Sequence, residues 1–201
     1  MENESSTKIS PLLDKLARLG VQHAIGGLSQ MVGEDLDYTE PILYSVPVLK
    51  VPEFIGGPEN EAVGVYLRAY GEASGQFMLI LPIAKALEFV DMLMDEPPGT
   101  TQELDDMGKS ALAEMGNLSG TFFLNAVAEV TGLETMPSEP AVMFDMVAAI
   151  LGVIVATSAE HVDEILIIKT SLMHGDHNVP ADFWYIPDMN AIEALEKKSA
   201  L

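Results

Sequence analysis

The sequence predicts an α+β fold in which two pseudo-symmetric halves share one antiparallel sheet with long helices packed on it. Three observations lead there. Segments 15–33 (KLARLGVQHAIGGLSQMVG) and 114–132 (EMGNLSGTFFLNAVAEVTG) read as helices that stop at Gly33 and Gly132, since a glycine past the last turn closes a helix in the left-handed conformation. Each helix is followed by two apolar stretches, 62–70 with 76–82 and 164–173 with 181–187. Alternation across a short turn-rich connection favours antiparallel hairpins. Finally, one shift of 99 positions carries Lys15 onto Glu114, Arg18 onto Asn117, Gly33 onto Gly132 and Glu40-Pro41 onto Glu139-Pro140. A common offset over a helix, its stop and a dipeptide reads as a duplication, with 10–96 as the first half and 101–199 as the second half of a single 1–201 domain.

The elements follow in order. After the first helix and hairpin, IAKALEFVDMLMDE (83–96) has helical spacing, and Pro97-Pro98-Gly99 then breaks the chain. That break is too short for a flexible linker between independent domains. The second half opens on a long helix over 102–131, where Leu104, Met107, Ala111, Met115, Leu118, Phe122 and Ala126 form one stripe, expected to lie on the sheet. Gly116 and Gly120 are expected to leave the adjoining surface low, open to another body. FDMVAAILGVIVA (144–156) reads as a buried helix. His174 and His177, in MHGDHN, have the i, i+3 spacing of a metal pair. Their place in a hairpin turn instead predicts exposed polar residues. The second half ends on a helical segment, MNAIEALEKKS (189–199).

Composition narrows the function classes. Ten basic residues stand against 31 acidic ones, for a net charge of −21. Such a chain repels nucleic acid and anionic lipid, whose phosphates need clustered Lys and Arg. Hydrophobic residues make up 48% and mean hydropathy is +0.23, as in a packed globular protein. The absence of cysteine excludes disulfides and thiolate chemistry. MENESSTKIS lacks the basic and apolar regions of a signal peptide, and the longest apolar run, AAILGVIVA, is far short of a spanning helix. A cytoplasmic protein is expected. The twelve methionines read as core filling rather than a binding surface.

On the long helix, Ser110, Glu114, Asn117 and Thr121 fall in one column, about 100° round from the apolar stripe and so at the edge of the buried face. No basic residue stands at 110, 111, 118 or 121 to pair with Glu114. Periodicity alone allows ordinary solvated helix residues here, although Asn is a poor mid-helix residue because its amide competes for backbone hydrogen bonds.

The spacing Ser110-x3-Glu114-x2-Asn117-x22-Pro140 resembles the signature of the CheC/CheX/FliY phosphatases, which act on the phosphorylated chemotaxis response regulator CheY. The Gly132 stop and FDMVAAIL (144–151) are similar to CheC, and the likeness runs from about residue 10 to 190. The resemblance implies hydrolysis of the regulator's aspartyl phosphate, with Glu114 and Asn117 as the catalytic pair and Ser110 and Pro140 as supporting motif positions. Asn117 would hold the attacking water, and Glu114 would pair with the regulator's active-site lysine. The protein would need no cofactor of its own, because the regulator brings Mg²⁺. CheC proteins often carry a site in each half. Here the first-half equivalents of Ser110, Glu114 and Asn117 are Pro11, Lys15 and Arg18, so that site reads as degenerate. The resemblance also implies CheD, the receptor deamidase, as a partner at 144–156. A non-catalytic chemotaxis interaction protein, either a CheD-binding adaptor or a flagellar-switch-like protein, is the alternative.

Overall fold

The structure, a computed structural model, describes residues 11–54, 56–157 and 164–199. Helix α1 (Pro11–Val32) leads into β1 (Asp37–Tyr38), β2 (Ile42–Pro47), a 3-10 turn and the short helix α2 (Val51–Phe54). The hairpin β3 (Glu61–Gly71) and β4 (Gly75–Pro82) and helix α3 (Ile83–Leu93) complete the first half. The second half repeats this order: α4 (Asp106–Thr131), β5 (Thr135–Pro137), β6 (Ala141–Met146), α5 (Val147–Thr157), β7 (Glu164–His174), β8 (His177–Pro187) and α6 (Met189–Ser199). Both long helices stop at the expected glycines, Gly33 at φ 86° and Gly132 at φ 70°.

The eight strands form one antiparallel sheet in the order β1-β7-β8-β4-β3-β5, with β2 also on β7 and β6 also on β3. Each half therefore lends a strand to the other's hairpin. Ile42 of β2 faces Lys169 of β7, and Ala141 of β6 faces Tyr66 of β3. Ile42 and Ala141 differ by the shift of 99 and their partners by 103, so the two exchanged pairings have the same register. Separating the halves would strip β3 and β7 of a neighbour and leave open edges. The hairpins meet at the centre, where β4 pairs with β8, Met78 opposite Trp184.

Period-two alternation sends the central strands' side chains to two cores. Phe77, Leu79, Phe183 and Tyr185 face the layer that holds α1, α3 and α4. Met78, Ile80, Trp184 and Ile186 face α5. Burial on both faces explains why QFMLILP reads as a nearly continuous apolar run.

Several expectations need correction. Helix α4 begins at Asp106 rather than 102, because Asp105 caps it, accepting from Gly108 N at 2.8 Å. Helix α3 ends at Leu93, short of 96. The buried residues of α4 are Gly108, Leu112, Met115, Gly116, Ser119, Gly120, Phe123, Leu124, Ala126, Val127 and Thr131, so Met115 and Ala126 of the expected stripe are buried while the rest of the face lies about one residue on from it. Met107 is 63% exposed. Gly116 and Gly120 are buried against β3, where an added Cβ would stand 2.2 Å from Val65 Cγ1 and 3.1 Å from Leu67 Cδ2. The close-approaching body is the protein's own sheet.

The segment 144–156 is not a buried helix. Phe144 and Met146 lie on edge strand β6 and are each 51% exposed. Only Val147, Ile150, Leu151 and Ile154 of α5 are buried, while Val153 and Val155 are exposed. The methionines divide as well: Met78, Met92 and Met115 fill the core, whereas Met94, Met107, Met136 and Met146 are exposed. His174 and His177 face each other across a two-residue turn, Gly175-Asp176, whose glycine takes φ 55°. His177 is buried rather than exposed, with Nε2 at 2.9 Å from the Glu96 carbonyl. Among the described residues no group of three or more His, Asp or Glu could hold a metal ion. None of their helices is long and apolar enough to cross a membrane.

The break between the halves is held in place by Asp91, a buried carboxylate inside the apolar pattern of α3. Its oxygens accept from Gly99 N at 2.7 Å, Thr100 N at 3.1 Å and Thr101 N at 2.7 Å. Burial alone pushes its pKa up, but hydrogen bonds from Thr101, Gly99 and Thr100 outweigh burial and hold it below the ordinary value. The charged form therefore stabilises the fold above the unfolded-state pKa, and that stability is lost as pH falls through the lower folded-state value. Asp91→Ala is expected to cost about 3 kcal/mol at neutral pH, the range for removing a charged acceptor from buried donors. In urea unfolding the deficit should shrink toward pH 3, and a deficit that stays constant with pH rules out the charged form as its source.

Candidate functional site

The motif residues are placed by α4 and by the start of β6. Ser110 and Glu114 are exposed, while Asn117 and Thr121 are half-buried. Asn117 and Thr121 lie at the edge of the buried face, about 20° round the helix from buried Leu124 in the case of Asn117, while Ser110 and Glu114 turn further out to solvent. Glu114 and Asn117 are neighbours at i, i+3, about 5–6 Å apart at Cβ. Neither side chain has a hydrogen bond or ion pair among the described residues. Ser110 is engaged within the helix, its Oγ donating to the Asp106 carbonyl at 2.8 Å. Half-buried Pro140 stands just before β6, where it has no N–H to donate.

This arrangement suits recognition of another molecule's polar group. A carboxylate without an internal partner can take a cation without first breaking an ion pair. An adjacent carboxamide offers an uncharged acceptor and donor that does not titrate. The helix beneath is fixed by its glycine contacts with Val65 and Leu67, so the pair is presented on a rigid element.

The first half differs at the equivalent positions. Pro11 is the first residue of α1, where its missing N–H costs nothing. Lys15 and Arg18 are exposed. Arg18 is held by Asp14 one turn back, at 2.8 Å from Nε, and by Glu40 through Nη1. The Asp14 hydrogen bond and charge, with a smaller contribution from Glu40, raise the guanidinium pKa further. The sequence reading missed this clamp, although an Asp four residues before an Arg on a helix was a visible signal.

A second feature lies apart from the motif. An open depression of about 680 Å³ is lined by Ile83 and Leu87 of α3, Lys109 of α4, and Val142 and Phe144 of β6.

The fold is that of the chemotaxis proteins FliY and CheX. The structure is similar to Thermotoga maritima FliY, with a TM-score of 0.73, 15% identity, and coverage of 96% of this chain and 98% of that one. It is also similar to the CheX–CheY–BeF3–Mg²⁺ complex from Borrelia burgdorferi, with a TM-score of 0.54, 17% identity, and coverage of 84% and 95%. In sequence the chain is similar to the CheY-P phosphatase CheC of Bacillus subtilis, 26% identical over 188 residues, which span 92% of this chain and 90% of that protein. No family model matches the chain. In sequence and in fold the chain resembles the CheC/CheX/FliY family.

Proposed function

We propose that the protein hydrolyses the aspartyl phosphate of a CheY-type response regulator, with Glu114 and Asn117 as the working pair. The observation that carries this reading is the exposed carboxylate next to a half-buried carboxamide, both without internal partners, on a helix seated against β3 at Gly116 and Gly120. The similarity to a protein named as a CheY-P phosphatase supports it.

Hydrolysis proceeds by in-line attack of water on phosphorus, with charge spread over the phosphoryl oxygens. The regulator brings its own Mg²⁺ and lysine, so this chain has only to place the water. The Asn117 carbonyl accepts a hydrogen bond from that water and carries no charge to repel the phosphoryl group. Glu114 accepts the regulator's lysine in a charge-assisted bond that fixes α4 against the partner. Ser110 has a position in the motif, and its hydroxyl is spent on its own helix.

Glu114→Ala is expected to raise KM for phosphorylated regulator about tenfold or more, the scale of losing one partner of an interfacial charge pair. Phosphate release from excess regulator measures it, and an unchanged KM removes Glu114 from the interface.

The alternative of a non-catalytic adaptor is favoured by one observation, the basic residues at the first-half pair. A CheD-type deamidase partner is part of our proposal in either case. The surface for it is the exposed apolar face of β6 and α5, including Phe144, Met146, Val153 and Val155. Val153→Glu is expected to abolish co-elution with CheD while leaving phosphatase activity intact, and retained co-elution would place that partner elsewhere.

A further inference from the structure

Glu139 has no role in the motif, yet the internal symmetry gives it one. The shift of 99 that relates β2 to β6 with unchanged register also relates Glu40-Pro41 to Glu139-Pro140. The same shift relates Arg18 on α1 to Asn117 on α4, each fifteen residues before its helix-closing glycine. In the first half the two related residues touch: Glu40 Oε1 accepts from Arg18 Nη1. The carboxylate at 139 therefore stands within an arginine's reach of the backbone at 117.

Position 117 carries asparagine, whose carboxamide ends three bonds short of an arginine's tip, about 4 Å at roughly 1.3 Å of projected length per bond. That shortfall is about the span of one hydrogen-bonded group. Glu139 is exposed and its carboxylate has no partner among the described residues, whereas its backbone is pinned, with Ser138 Oγ donating to its carbonyl at 2.8 Å. Ser138 is itself tied to β3 through Arg68 N, which donates to Ser138 Oγ at 3.0 Å, and through its own N–H to the Arg68 carbonyl at 2.7 Å. The first half thus shows what this geometry does when a guanidinium is supplied from within the chain. The second half keeps the acceptor and lacks the cation.

We propose that Glu139 is a further positioning residue of the Asn117 site, which accepts a basic side chain of the docked regulator in the place that Arg18 fills internally in the first half. It flanks Asn117 on the β6 side as Glu114 does on the helix, so the partner's cations are held on two sides of the carboxamide. A carboxylate there would repel the phosphoryl oxygens, so its work is to seat the partner rather than to touch the reacting atoms. This rests on the proposed docking of a receiver domain at α4.

Two experiments test it, and the first is independent of that docking. Asn117→Arg rebuilds the first-half pair, so a crystal structure of that variant is expected to show the guanidinium hydrogen-bonded to the Glu139 carboxylate, as Arg18 is to Glu40. A guanidinium turned away from Glu139 overturns the placement. With phosphorylated regulator, Glu139→Gln is expected to raise KM about tenfold, hold kcat within about twofold and flatten the dependence of KM on salt. Glu139→Asp should recover part of the loss. An unchanged KM, or a fall in kcat alone, overturns the proposal. Should the wild type bind the beryllofluoride-activated regulator without turning over its phosphate, the catalytic reading fails. Weaker binding by Glu139→Gln would then still uphold this one.

Discussion

Replacing Asn117 with alanine is expected to lower kcat for regulator dephosphorylation about a hundredfold while leaving KM within about twofold. The size follows from the task assigned to it. Fixing one water in line with the phosphorus removes part of the entropic barrier, and two powers of ten correspond to about 2.7 kcal/mol. The regulator's own slow hydrolysis persists, because its metal and lysine are untouched, and Glu114 still anchors the complex. Asn117→Asp separates water placement from general polarity. A carboxylate at 117 accepts from water equally well but puts a negative charge against the phosphoryl group, so it should be about as slow as alanine. The readout is single-turnover decay of phosphorylated regulator with the protein in excess. A wild type no faster than Asn117→Ala would eliminate the enzyme and leave the adaptor.

The parts of this site that could be read in the sequence are those fixed by local geometry. Residues 110, 114, 117 and 121 share a column on any α-helix, and glycine at 33 and 132 closes a helix whatever lies around it. The face of α4 that meets the sheet was different in kind. The expected stripe followed one run of apolar residues and passed over the glycines, whereas β3 approaches so closely at 116 and 120 that only glycine fits there. Gly116 and Gly120 meet Val65 and Leu67 of β3, and Met107, the type of residue a hydrophobic pattern sends inside, is largely exposed. The offset of 99 pointed to a duplication, but not to the exchange of β2 and β6 between the hairpins. Strand pairing between distant segments leaves no periodic trace in either one. Asp91 escaped notice for a related reason, because its three donors come from a loop whose path no local pattern determines.

The clamp on Arg18 gives the two halves different work. In the first half the position equivalent to Asn117 is closed by Asp14 and Glu40, so the side chain ties α1 to the loop before β2. In the second half nothing within the described chain closes it. A duplicated fold can spend one copy of a surface on its own cohesion and leave the other for a partner.

That division depends on how tightly α4 is seated, and Gly116→Val is expected to be among the most destabilising single changes in the protein. Even a methyl at 116 would stand 2.2 Å from Val65 Cγ1, well inside van der Waals contact. Val65 is fully buried and β-branched, so it has little rotamer freedom with which to retreat. Either α4 lifts from β3 or the strand bends, and the two further methyl groups of valine worsen both. The upper end of overpacking penalties, about 3 kcal/mol, applies, and it lowers the melting temperature by about 6–12 °C for a chain of this length. Because α4 carries Glu114 and Asn117, the same displacement moves the pair relative to Glu139 and Pro140, and activity should fall further than the folded fraction does. Val65→Ala made in the same molecule frees the space, so the double variant should regain most of the lost stability, a non-additivity diagnostic of direct contact. Thermal melts of the two single variants and the double variant decide it. Simple addition of the two penalties would mean that α4 is not held by this contact, and the rigid presentation of the site would need another source.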